Sequence, residues 1–262
     1  MKNAVEPIKP NGVLVKSYLV NAYATSNDSL YSRMLFRTLA KLIKQQQINA
    51  PKVLDLGCAD ARGRRLLKAY LPDEFHYFGV DIDKNFNPDL IADIRDIKQI
   101  FARVKFKPNI ILLNDVLEHF ENGKDDIEKF LSEIIKYVPK DTLIYITVPQ
   151  IYRLDCFKLP HLKYPEHRVR FNSIEWAALV GKNLQIRKAR AASFITGAPH
   201  LLMASQHYTE SNILGQAFKY IRSKMNRSEL LEKLDSKWVS RWGENPLVFP
   251  ISNGLIFECV SR

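Results

Sequence analysis

The chain has 262 residues, 46% hydrophobic and 26% charged, with 10 Gly and 13 Pro, which excludes collagen-like, intrinsically disordered and disulfide-stapled classes. With 39 Lys and Arg against 28 Asp and Glu, the formal charge is +11; this favours anionic partners (nucleic acid, acidic or phosphorylated small molecules, an anionic membrane surface) without choosing among them. Cys58, Cys156 and Cys259 lie far apart and form no CxxC pair, so neither a disulfide framework nor a metal site is expected, and a reducing cytoplasm is the expected compartment.

Glu6, Pro7 and Pro10 break the apolar run that a signal peptide needs, and no later stretch reaches the ~18 consecutive apolar residues of a membrane span. Residues 1–25 are expected to form an irregular arm. After the cap-rich Ser26-Asn27-Asp28-Ser29, the recurrence of Leu30, Met34, Leu35, Leu39, Leu42 and Ile43 predicts a helix over about 28–47. Short apolar runs then alternate with helical patterns: Lys52–Leu56, helix Gly63–Leu71; Tyr77–Asp81, then a loop; Asn109–Leu113, helix Asp125–Val138; Leu143–Val148. Runs this short, bounded by Gly, Pro and Asp, are the mark of buried parallel strands in a βαβ sheet. Beyond Pro149, a loop over Gln150–Arg170 leads to a helix at Ser173–Leu179 and a strand near Leu184–Ala191. Residues from about 197 to 243 are expected to form a polar and aromatic helical stretch. Final strands are expected around Leu247–Phe249 and Leu255–Val260, flanking the turn signal Ser252-Asn253-Gly254.

The sharpest chemical feature is Val53-Leu54-Asp55-Leu56-Gly57-Cys58-Ala59-Asp60-Ala61, a strand running into a small-residue loop that opens a helix. At the carboxyl end of a parallel strand, such a loop lets a ligand approach the backbone and offers it helix N–H groups. Tyr77-Phe78-Gly79-Val80-Asp81 ends the next strand with an acid, the position where a carboxylate accepts both hydroxyls of a ribose. Ala92-Asp93-Ile94 and Leu113-Asn114-Asp115-Val116-Leu117-Glu118-His119-Phe120 close the third and fourth strands.

This ordered set resembles the class I S-adenosylmethionine-dependent methyltransferases, particularly the group that methylates small molecules and glycans, over about residues 50–190 and more loosely the final strands. The resemblance implies an α/β fold: a Rossmann-like, mainly parallel seven-stranded sheet with helices on both faces, antiparallel final strands and a helical insertion before the last one. The expected division is an arm and helix (1–48), an S-adenosylmethionine-binding core (49–196), a helical cap insertion (197–243) and the final strands (244–262). By carry-over, Asp55 and Gly57 shape the methionine end of the pocket, Asp81 holds the ribose, Asp93 with Ile94 contacts the adenine, Asn114 lies beside the cofactor, and Ala59 and Ile82 are further cofactor-binding positions. His119 faces the methyl acceptor as candidate base, with His167 second. The expected partner is a small-molecule or glycan acceptor, acidic in keeping with the charge, methylated on oxygen or nitrogen. Acceptor identity and oligomeric state are not legible.

The chain departs from the family's DxGxGxG loop at Ala59 and Ala61. The added methyl costs little where φ is negative and about 1 kcal/mol where it is positive. Rival uses are a dinucleotide-binding dehydrogenase, disfavoured because GxGxxG is absent; an RNA methyltransferase, which suits the charge but lacks an RNA-binding module; and a non-catalytic relative. Arg62, Arg64 and Arg65 are expected to form a solvated face, as are the basic residues of Gln216–Arg227. Tyr18, Tyr23 and Tyr31 are aromatics of the arm and first helix that pack in the core or close over the cofactor.

Overall fold

In the central strands, neighbouring residues are apolar and point to opposite faces, so the sheet is buried on both sides. In the computed structural model, which describes residues 28–71, 74–149, 167–195, 220–221, 223–252 and 254–261, these strands are β1 (Lys52–Leu56), β4 (Ile110–Asn114) and β5 (Leu143–Pro149). β2 (His76–Asp81) and the two-residue β3 (Leu90–Ile91) extend one side in parallel; β7 (Gly254–Ser261) and β6 (Leu184–Ala192) extend the other, giving the order β3-β2-β1-β4-β5-β7-β6. β7 runs antiparallel to both β5 and β6, with a register shift between Ile186 and Lys188.

Helices cover both faces. Leu54, Leu56, Ile111 and Leu113 pack with α3 (Ile97–Arg103), α4 (Lys124–Ile134) and α5 (Ser173–Asn183). The alternate residues Val53, Ile110 and Leu112 pack with α1 (Leu30–Gln45), α2 (Arg62–Tyr70) and α6 (Glu229–Trp242). Ser29 caps α1 by accepting from the Ser32 N–H at 3.1 Å, and the predicted apolar stripe from Leu30 to Ile43 is buried.

Several expected elements change. Leu247–Phe249 is no strand but part of a 3-10 helix, Pro246–Ile251, because Pro246 cannot donate to a ladder and Asn245 caps the turn by accepting from the Leu247 N–H at 3.0 Å. The antiparallel pair is thus β6 with β7. The third strand ends at Ile91, before Ala92, and α3, which no periodic pattern announced, is started by the Asp96 cap. α6 packs on α1: Glu232 pairs with Arg33 at 3.0 Å and with Arg37, and Lys41 donates to Ser236 Oγ at 2.9 Å. Asn226 Oδ1 accepts from the Leu30 N–H at 3.1 Å. Lys219, Arg222, Tyr18, Tyr23 and Cys156 lie outside the described residues.

Candidate active site

The loop after β1 is tied to the end of β2. Gly57 (φ +82°) donates its N–H to the Val80 carbonyl at 2.8 Å, and a Cβ there would stand 2.6 Å from Val116 Cγ2, so conformation and space both demand glycine. Ala59 and Ala61 sit at φ +45° and +52°, in the left-handed region where an L side chain is strained. The Ala59 N–H donates to Asp81 Oδ2 and the Asp83 N–H to Asp81 Oδ1, both at 2.9 Å. Burial raises the Asp81 pKa, and these N–H groups oppose the shift.

Asp55 projects from β1 and is buried. The Tyr77 hydroxyl donates to its Oδ2, while Oδ1 has no hydrogen-bond partner among the described residues. Burial pushes its pKa up to about 7, against the pull of the Tyr77 hydrogen bond. Asn114 Oδ1, at the end of β4, is likewise buried and unpartnered. Among the nearby acids, Asp89 accepts from the Gly79 N–H at 2.7 Å and pairs with Arg64, and Asp96 caps α3. Asp93 remains at the rim, held by Arg95.

Asp55, Gly57, Ala59, Asp81, Ile82, Asp93, Ile94 and Asn114 all line one cavity of about 220 Å³ at the carboxyl ends of the parallel strands, together with His119. His167 does not line it, but its ring centroid lies 5.2 Å from that of His119. Sequence reasoning missed the wall that α1 supplies through Ser32, Leu35 and Phe36, and the lining residues Asp115 and Phe120. Asp115 takes φ +51°, accepts from the Thr147 hydroxyl at 3.0 Å, and has its pKa pushed by burial to about 6. The aromatic Tyr31 reaches it with its hydroxyl, at 3.5 Å. Nor is the arginine cluster a plain solvated face: Arg62 lines the cavity and pairs with Asp28 at 3.2 Å, and Arg65 pairs with Asp28 at 2.6 Å.

Beyond β4, Leu117–His119 makes one 3-10 turn with Glu118 fully buried beneath it. The Glu118 carbonyl accepts from the Arg168 and Val169 N–H groups at 2.7 and 2.9 Å, which brings His167 alongside. Glu118 Oε1 stands 3.8 Å from His119 Nε2 and 3.9 Å from His167 Nε2, and neither carboxylate oxygen has a hydrogen-bond partner among the described residues. Burial, with Asp115 adding to it, holds the Glu118 pKa well above the usual carboxylate range.

A mainly parallel seven-stranded sheet in this order, with a glycine-bearing loop and an acid at successive strand ends, defines an S-adenosylmethionine-dependent methyltransferase with a Rossmann-like fold. A family model described as a methyltransferase domain matches residues 6–192, and the chain belongs to that family. It is an enzyme that uses S-adenosylmethionine. Among solved structures it is similar to the plantazolicin methyltransferase BamL in complex with a triazolic desmethylPZN analog and SAH, at 13% identity and TM-score 0.54, over 94% of this chain and 89% of that one. The plantazolicin methyltransferase BpumL, in complex with SAH, gives 13% identity and TM-score 0.54 over 94% and 90%. At that identity the likeness is one of fold. No curated protein matches the chain in sequence. No helix among the described residues is long and apolar enough to cross a membrane.

Proposed function

We propose that the chain transfers a methyl group to an oxygen or nitrogen of a small-molecule or glycan-type acceptor that enters beside His119. The observation that carries this reading is the convergence of the eight strand-end residues and His119 on one cavity. When bound, S-adenosylmethionine supplies an electrophilic methyl carbon: the acceptor atom bonds to it as the carbon–sulfur bond breaks, the electron pair stays on sulfur, and the acceptor's proton passes to a base or water.

The residues present fit that cofactor. Asp55 Oδ1 and Asn114 Oδ1 are buried acceptors with no hydrogen-bond partner among the described residues, and the ammonium group of such a ligand provides donors for them. Gly57 keeps the backbone open to close approach. Asp81 holds the two ribose hydroxyls, and Asp93 with Ile82 and Ile94 forms the nucleoside end. Because the transfer is an in-line displacement, positioning does most of the work, and proton removal matters only for a weakly acidic hydroxyl.

Purified protein with labelled S-adenosylmethionine should methylate members of a panel of small hydroxyl, amine and glycan acceptors. His119→Ala should cut turnover about 10²–10⁴-fold with cofactor affinity nearly unchanged. Transfer to RNA alone, with a steep salt dependence of RNA binding, would overturn the acceptor class.

A further inference from the structure

We infer that Glu118, His119 and His167 form a binding site for one divalent transition-metal ion of the Zn²⁺ or Mn²⁺ kind, with an open position that takes the acceptor's oxygen. This rests on the methyltransferase reading for its role, but not for its existence. The sequence offered no such site, because its two halves lie far apart along the chain and no cysteine accompanies them.

Three observations carry it. First, one ligand atom from each of the three side chains lies within 4.8 Å of the other two. Donors each ~2.1 Å from one ion stand roughly 3.0–3.4 Å apart in octahedral or tetrahedral geometry, so the 3.8 and 3.9 Å separations from Glu118 need close by about half an ångström for a tetrahedral ion and just under one for an octahedral ion. Second, Glu118 is fully buried, neither of its oxygens has a hydrogen-bond partner among the described residues, and Oε1 is the atom nearest both imidazoles. A carboxylate serving only to orient a base would sit within hydrogen-bond reach of the ring nitrogen, at about 2.7–3.2 Å, and here it does so with neither ring. An isolated buried carboxylate is costly, whereas one that coordinates a cation is not. Third, the arrangement is built by the backbone: the Glu118 carbonyl takes the N–H groups of Arg168 and Val169, fixing His167 beside the 3-10 turn.

Two imidazoles and one carboxylate suit zinc or a neighbouring first-row ion, and three protein ligands leave room for water or substrate. His119 also lines the cavity, whereas Glu118 and His167 do not, so the site borders the residues assigned to the cofactor through His119. An acceptor hydroxyl bound to the ion has its pKa lowered, and its proton leaves to water as the oxygen attacks the methyl carbon. The imidazoles then act as ligands and not as bases.

The test uses the full chain, stripped with a chelator and dialysed against Zn²⁺, and separately against Co²⁺ with its d–d absorption recorded. One ion per chain should bind. Glu118→Gln and His167→Ala should each weaken binding more than about 10–100-fold, the loss seen when mere outer-shell partners are removed, and should alter the Co²⁺ spectrum. Circular dichroism and S-adenosylhomocysteine titration identify any variant that fails to fold, and His119→Gln then replaces it. Wild-type uptake no greater than that of Glu118→Gln, or an unchanged Co²⁺ spectrum in His167→Ala, would overturn the site. Ion binding without cofactor binding would sustain the site and refute its part in the proposed methyl transfer; cofactor binding without ion uptake would overturn the site and leave the proposed function standing.

Discussion

Replacing Ala59 and Ala61 by glycine should stabilise the protein, although both changes remove a methyl group. Each alanine is held in the left-handed region, at φ +45° and +52°, where a Cβ costs roughly 1–2 kcal/mol. Glycine removes that cost but gives the unfolded chain more freedom, worth about 0.4–1 kcal/mol in the opposite direction. The balance lies between zero and about 1.6 kcal/mol per site, with midpoints giving a gain of about 0.8 kcal/mol. In a chain of this size 1 kcal/mol raises Tm by roughly 2–4 °C, so the double variant should melt about 2–8 °C higher. Ala50, at φ +49° and remote from the cavity, is the internal control: Ala50→Gly should give a similar gain. Thermal melts by circular dichroism without added cofactor make the comparison. The Ala59 N–H that meets Asp81 survives the change, so cofactor affinity should be kept or improved. A lowered Tm for the loop variants beside a raised one for Ala50→Gly would refute the strain argument and show that the two methyl groups pack.

Asp81→Ala should raise the Kd for S-adenosylhomocysteine by roughly 10²–10⁴-fold in calorimetry, since two charge-assisted hydrogen bonds of about 1.5–3 kcal/mol each are lost; an unchanged Kd would remove Asp81 from the ribose. Asp55 has a folded pKa of about 7 against an ordinary 3.8. Between those values the native state holds more protons than the unfolded one, so this group makes stability fall as pH rises, by up to about 1.4 kcal/mol per unit. Asp55→Asn, which still accepts from Tyr77, should flatten that slope in urea titrations at pH 4–7; an identical slope would show that Asp55 ionises normally.

Strand ends were the most legible part of the chain. β1 and β5 are short, mainly apolar runs closed by Gly or Pro, so their bounds could be placed from local pattern, while the eight lining residues, which sit at or after the ends of β1 to β4, came from the family resemblance. β3 has only two residues and α3 seven, too few for a period to declare itself. The apolar triplet Leu247–Phe249 carried a strand signal that the preceding proline overruled. The α1 stripe was visible, but which of its residues turn to the cavity depends on packing against the sheet. Likewise, the meeting of His167 with Glu118 is a tertiary event with no trace in spacing.

The wall formed by Ser32, Leu35 and Phe36 is made by a helix that precedes the cofactor motifs and is clamped from behind by Glu232 and Asn226, which follow them. The strand-end loops face a surface whose position is set elsewhere in the chain. Substitutions along α6 can therefore reshape one side of the chamber while every strand-end residue that lines it stays as it is, so the two walls are free to vary independently.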